Sequence, residues 1–360
     1  MEFKVSKRYQ LTRAGYPIAV LGLLIGLSAS AANPTAVRLD KNGASMSQIP
    51  VRDQVGGTCY AYAAVGVADA WRKSHETKPS SLPLASGLAA AVGSGLRNYR
   101  NQIDGGLVCT VVSYLRSRGG CDQELIQELG EDGSSLSTLS KLIEMDHRVY
   151  LALRKQWEGN GNAVAEARSS ALSTIQARLK TYGYPTESRP TTEELRIALD
   201  QTKPIEVTRV ALVKHACASS RFEMKIPHCN IDLAMFWPDW MVKSRIDDLL
   251  TRKNAQPISM GFCANILVKG RAFNAEPFRL AAITGWNSAA PILDKDCGLH
   301  AALLIGKREN PLTGKVQYLI RNSWGPSCKY YSTEWTCEEG SIWVDADALI
   351  PSITGLAVLE

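Results

Sequence analysis

The stretch from Pro50 to Val65 limits the fold more than any other: Gly56, Gly57 and Thr58 lead into Cys59, and small and apolar residues follow through Ala70. Adjacent glycines make a turn of little bulk, and an Ala/Val-rich run suits a buried helix, so Cys59 is predicted at a helix N-terminus. Aligned peptide dipoles and free N–H groups there favour a thiolate, which predicts a lowered thiol pKa. A nucleophile suits that setting. A cysteine among small residues also packs as core or forms half of a bridge, so the stretch needs a second feature beside it.

That feature is the pair of apolar runs near the C-terminus. Cys297-Gly298-Leu299-His300 opens one that continues to Gly306, and the other runs from Tyr318 through Leu319-Ile320-Arg321 to Asn322-Ser323-Trp324-Gly325. Both read as buried strands, with His300 entering the first and Asn322 leaving the second. Cysteine, histidine and asparagine in this chain order can assemble a thiol–imidazole–amide triad.

With Gln54 ahead of Gly-Thr-Cys59-Tyr60, His300 followed by Ala301, and Asn322-Ser-Trp324-Gly, the chain resembles the papain-like cysteine peptidases. The resemblance implies an α+β fold of two halves, a helical one carrying Cys59 and a β-rich one carrying His300 and Asn322. It implies peptide-bond hydrolysis in which Cys59 attacks the carbonyl, His300 exchanges protons with it, and an acyl-enzyme forms. Asn322 would orient the imidazole, Trp324 would shield that bond from water, and Gln54 with the Cys59 N–H would receive the oxyanion. Gly105 and Gly106 resemble a segment that offers backbone groups to the substrate; a simple turn explains them equally well. Two departures stand out. The turn Val55–Thr58 is one residue short, which can pull the Gln54 amide off target at a cost of ~3 kcal/mol. Leu299 replaces the polar residue expected before the histidine. A degenerate module that binds peptides without cutting them is therefore the alternative, and a non-peptidase acyl transferase using the same triad is a third reading.

The net charge of +6 hints at nucleic acid, yet Lys4, Lys7, Arg8 and Arg13 against Glu2 supply +3 of it within residues 1–32, and no basic run follows. Those residues combine a basic start, an apolar core from Ile18 to Leu27 too short to span a bilayer, and small residues before Asn33, the pattern of a secretory signal. An uncleaved anchor is the other reading; after signal removal no membrane contact is expected. Nine cysteines then fit an oxidising compartment, with Cys59 free and eight left for bridges. Local loop closure suggests Cys328–Cys337 and Cys109–Cys121, and more loosely Cys217–Cys229 and Cys263–Cys297. No Cys-x-x-Cys pair occurs and the five histidines are scattered, so no metal and no cofactor are expected.

Cys59 and His300 lie farther apart in sequence than the resemblance implies. Apolar residues recur at helical spacing at Leu139, Leu142, Ile143, Val149, Tyr150 and Leu153, and again at Val164, Ala171, Leu172, Ile175 and Leu179, and Thr191 with Glu194 forms a capping-box pattern. The chain therefore divides into a signal (1–32), a helical half (33–121), a mostly helical insertion (122–235) and a β-rich half (236–360). His147, His215 and His228 in the insertion read as packed or surface residues. A cut near Asn33 leaves no room for a long propeptide before Gln54, so the insertion either widens the helical half or borders the cleft and limits access. Peptide or protein substrates, and a protein inhibitor, are the partners the resemblance implies; oligomeric state is not legible.

Overall fold

The computed structural model describes residues 36–360, apart from 42, 55, 77–80, 96–102, 129–137, 201–204 and 274–296. The segment read as a secretory signal lies outside them. Helix α1 (Cys59–His75) forms where the small-residue run predicts it and is buried on nearly every side. Its Gly66 lies where an added Cβ would come within 2.6 Å of the Leu303 side chain, so helix and sheet approach as closely as a missing side chain permits. Helices α2 (Gly87–Gly95) and α3 (Val108–Arg118) pack on α1. Next come α4 (Gln123–Glu128), α5 (Thr138–Gln156), α6 (Gly161–Thr181), α7 (Thr192–Leu199) and α8 (Ile205–Ser220), in the segment whose apolar spacing predicts helix. The predicted capping box is present: Thr191 Oγ1 accepts from Glu194 N and Glu194 accepts from Thr191 N. Two further helices, α9 (Asp239–Thr251) and α10 (Asn265–Lys269), flank the first long strand of the sheet.

The strands are β1 (Val37–Arg38), β2 (Gly120–Cys121), β3 (Arg221–Phe222), β4 (Cys229–Asp232), β5 (Ile258–Cys263), β6 (Leu299–Glu309), β7 (Val316–Arg321), β8 (Thr336–Glu338), β9 (Ser341–Asp345) and β10 (Ile353–Leu359). β2 and β3 form a small ladder. The others make one antiparallel sheet in the order β4-β10-β5-β6-β7-β9-β8, with β1 on the far end of β6. Central strands β5, β6 and β7 are near-continuous apolar runs because helices or loops cover both faces. The architecture is α+β, with a helical part and an antiparallel sheet.

A buried ionic cluster fixes α1 in place. The Asp69 carboxylate, fully buried, accepts from Arg52 at 2.6 Å, Arg72 at 3.1 Å and the Ala85 backbone at 3.0 Å, while Arg52 also donates to Gln123. Burial pushes the Asp69 carboxylate above its usual range, and the two guanidinium groups work against that shift.

Four disulfides form, and two differ from those that loop closure suggests. Cys328–Cys337 and Cys263–Cys297 are as expected. In place of Cys109–Cys121 and Cys217–Cys229, Cys109 bonds Cys229 and Cys121 bonds Cys217. The reason is tertiary: α8 ends beside β2 and β4 runs beside α3, so the nearest thiol in space is about a hundred residues away in sequence. Both bridges tie the C-terminal end of the 122–235 segment, at Cys217 and Cys229, to the helical part.

Candidate active site

Cys59 sits at the first position of α1, entered through a turn in which Gly56 takes φ +61°, a left-handed conformation that glycine adopts without strain. The Thr58 carbonyl accepts from Ala61 N and Tyr62 N and so begins the helix. Residues 103–106 clamp the turn: Asp104 Oδ1 accepts from Gly57 N at 3.1 Å, Gly57 O from Gly105 N at 2.9 Å, and Ile103 O from Tyr60 Oη at 2.7 Å. Cys59 is partly exposed and is the free cysteine of the described residues. Its sulfur meets the backbone N–H of Ala301, the residue after His300 on β6.

His300 pairs with Phe262 across β5 and β6 and is buried. Its Nε2 lies 2.6 Å from Asn322 Oδ1. The Ser323 backbone N–H donates to that same oxygen at 2.8 Å, which identifies it as the acceptor; Nε2 therefore carries the proton. In the neutral ring Nδ1 then keeps its lone pair. Trp324 has its ring centre 5.1 Å from the imidazole and stacks on Tyr331, and Asn322 is almost wholly buried. A cysteine at the head of a buried helix thus faces the sheet strand that holds an asparagine-tethered histidine. The fold is papain-like.

Solved structures similar to this papain-like chain include digestive procathepsin L 3 of Tenebrio molitor larval midgut (11% identity, TM-score 0.43, covering 92% of this chain and 72% of that one). Xylellain, a cysteine protease from Xylella fastidiosa, matches at 15% identity and TM-score 0.43, covering 92% of this chain and 87% of that one. SERA5E from Plasmodium falciparum matches at 14% and 0.42, covering 91% and 96%. No protein-family model and no curated protein matches in sequence. At these identities and TM-scores the likenesses carry no weight for the chemistry.

The electrostatics of the papain-like site run against the sequence expectation. Burial pushes the Cys59 thiol up and the Asp104 carboxylate pushes the same way, against the N–H groups of Ala301, Tyr60 and Cys59 itself. Burial likewise pulls His300 below the usual imidazole range, opposed by its bond to Asn322. Both directions favour the uncharged thiol and imidazole over a thiolate–imidazolium pair.

Gln54 is near the site, and its donor is already engaged: Nε2 donates to Gly56 O at 2.7 Å, while Oε1 accepts from Ser323 Oγ at 2.6 Å. The short turn brings Gly56 O within reach of the amide. Gly105, at φ +81°, borders open space, whereas Gly106 is pressed on the Tyr60 ring, which an added Cβ would meet at 2.5 Å. Each glycine therefore has a local reason of its own. The three histidines of the helical segment are held away from the site: His147 Nε2 at Leu199 O, His215 at Ser188 Oγ, and His228 at Arg116.

Sequence reasoning passed over three residues here. Ser323 bonds Asn322 Oδ1 through its N–H and Gln54 through its hydroxyl, and its carbonyl accepts from Gln54 N, so it joins the two. It lies inside the Asn322-Ser323-Trp324-Gly325 stretch, where sequence alone gives it no role. Asp104 stood beside Gly105, and only the fold turns its carboxylate onto Gly57. Arg209 of α8 reaches the same turn and carried no local signal at all.

Proposed function

We propose that this chain is an exported cysteine peptidase acting on peptides or proteins. The observation that carries the reading is the His300–Asn322 bond, which leaves Nδ1 as the base on the strand that Cys59 meets. On substrate binding Nδ1 takes the thiol proton as sulfur attacks the scissile carbonyl, then returns it to the leaving amine; water resolves the acyl-enzyme by the reverse sequence. Because both groups rest uncharged, proton transfer accompanies attack. The Cys59 N–H and the second N–H of the Gln54 amide are the oxyanion donors, Gly105 and Gly106 line the substrate path, and Trp324 keeps water from the His300–Asn322 bond. Residues 122–235 are an insertion into the helical half.

Four disulfides fit an oxidising compartment, and residues 1–32 fit the export signal that would deliver the chain there. Among the described residues no helix is long and apolar enough to cross a membrane.

One observation favours a second reading, a papain-like module that binds peptides without cleaving them: the Gln54 amide is turned onto Gly56 O. Turnover of a fluorogenic peptide library separates the two. The peptidase reading expects hydrolysis that Cys59→Ala and His300→Ala each abolish with the fold intact. Peptide binding with no turnover supports the binding module, and turnover that survives His300→Ala contradicts the peptidase mechanism.

A further inference from the structure

Helix α8 has no counterpart in the triad chemistry, yet one of its side chains arrives at the nucleophile's turn. Asp104 Oδ1 lies 3.1 Å, and the two terminal nitrogens of Arg209 lie 3.5 and 3.6 Å, from the point that a Cβ on Gly56 would occupy. A carboxylate and a guanidinium thus converge on the backbone that leads into Cys59. Gly56 takes a positive φ that favours glycine, and an added Cβ would also crowd Asp104 Oδ1. Arg209 is half-buried between the buried residues Thr208 and Val210, on a helix that packs against α2 and α5 and is bonded to β2 through Cys121–Cys217. The guanidinium is delivered by a fixed element, not by a loose surface chain.

We propose that Arg209 is a positioning residue of the site: α8 places its charge against the Gly56–Gly57 turn, where it steadies the turn and offsets the Asp104 charge at the Cys59 sulfur. Charged or titratable groups at this end of α1 include His300 from β6, Asp104 from the 103–106 segment, Arg209 from α8 and Tyr60 of the first turn, whose hydroxyl donates to Ile103 O. The first turn of α1 has no acidic residue, and Asp53 is turned toward Gly325. Burial first, and then the Asp104 charge, disfavour the sulfur anion. A cation on the same turn works in the opposite sense. The helical segment therefore takes part in the site and does more than widen the fold.

The inference rests on reading Cys59 as the nucleophile, but its test needs no peptide turnover, so it fails separately from the peptidase reading. Iodoacetamide alkylation of Cys59 is followed against pH by intact mass in the wild type, Arg209→Gln, Arg209→Lys and Asp104→Asn, with thermal unfolding as a check on the fold. Arg209→Gln is expected to slow alkylation at neutral pH roughly two- to fivefold and to move the profile to higher pH, Arg209→Lys to stay near wild type, and Asp104→Asn to move it to lower pH. An unchanged profile in folded Arg209→Gln, or an Arg209→Lys profile as displaced as that of Arg209→Gln, overturns the proposal. Should Arg209→Gln fail to fold, the double variant Asp104→Asn/Arg209→Gln decides: a profile above that of Asp104→Asn alone supports the role, and a coincident one contradicts it.

Discussion

At the scale of residues, the site is a set of hydrogen bonds whose donors and acceptors assign themselves. Asn322 Oδ1 takes protons from both His300 and Ser323, so the imidazole has one tautomer available and one nitrogen free for the thiol. Burial raises the Cys59 thiol and lowers His300, and both directions favour the uncharged pair. The hydrolytic rate is expected to hold below the ordinary imidazole value of about 6.5 and to fall as acid protonates His300. On the alkaline side it is expected to hold until the thiol ionises above its usual range; a kcat/KM profile narrower than this on both limbs contradicts a neutral resting pair, whose apparent pKa values belong to the pair together. Gln54 supplies a sharper test. If its amide serves the oxyanion, Gln54→Ala should lower kcat about a hundredfold with KM nearly unchanged, whereas loss of its bond to Gly56 O alone would leave kcat within a few-fold of wild type. The placement of Cys59 at a helix start and of His300 and Asn322 at strand ends was legible in the sequence because each sits at the end of a strongly patterned run. The direction of the thiol shift was not: it comes from burial and from Asp104, neither of which has a local sequence signal.

Among elements, the contact between α1 and β6 decides where sulfur and imidazole sit, and the Asp69 cluster holds α1 to the loop at Pro83–Ala85. Asp69→Ala strands Arg52 and Arg72 in the interior, so a loss of about 3–5 kcal/mol in stability is expected by denaturant titration; a loss under 1 kcal/mol would mean that the cluster is dispensable. The helices of the 122–235 segment could be read from period and cap alone, as Thr191 and Glu194 show. How that segment is tied down could not. Cys121–Cys217 spans 96 residues against 9 for Cys328–Cys337, and a thiol's partner across that distance depends on where α8 returns in space. The longer loop also constrains the unfolded chain more, so Cys121→Ser/Cys217→Ser should cost about 2 kcal/mol more than Cys328→Ser/Cys337→Ser in the same titration. Equal costs would show that strain or residual structure outweighs loop entropy.

For the molecule as a whole, a helical part that presents a cysteine and an antiparallel sheet that presents a histidine and an asparagine are brought to one line of contact, and α8 adds Arg209 from outside that plan. Cys109–Cys229 ties α3 to strand β4 of the sheet, and the four disulfides together leave Cys59 as the free thiol among the described residues. The papain-like plan was readable because its landmarks keep their order along the chain; the approach of α8 to the turn before Cys59 was not, since nothing near Arg209 in sequence marks it. The central claim, that Cys59 is a nucleophile activated by His300, is tested most directly by treating the oxidised protein with a peptide-like epoxide and measuring intact mass. A single adduct that maps to Cys59, is lost in Cys59→Ala and forms far more slowly in His300→Ala is the expected result. An adduct elsewhere, or one at Cys59 that forms as fast without His300, would contradict the account.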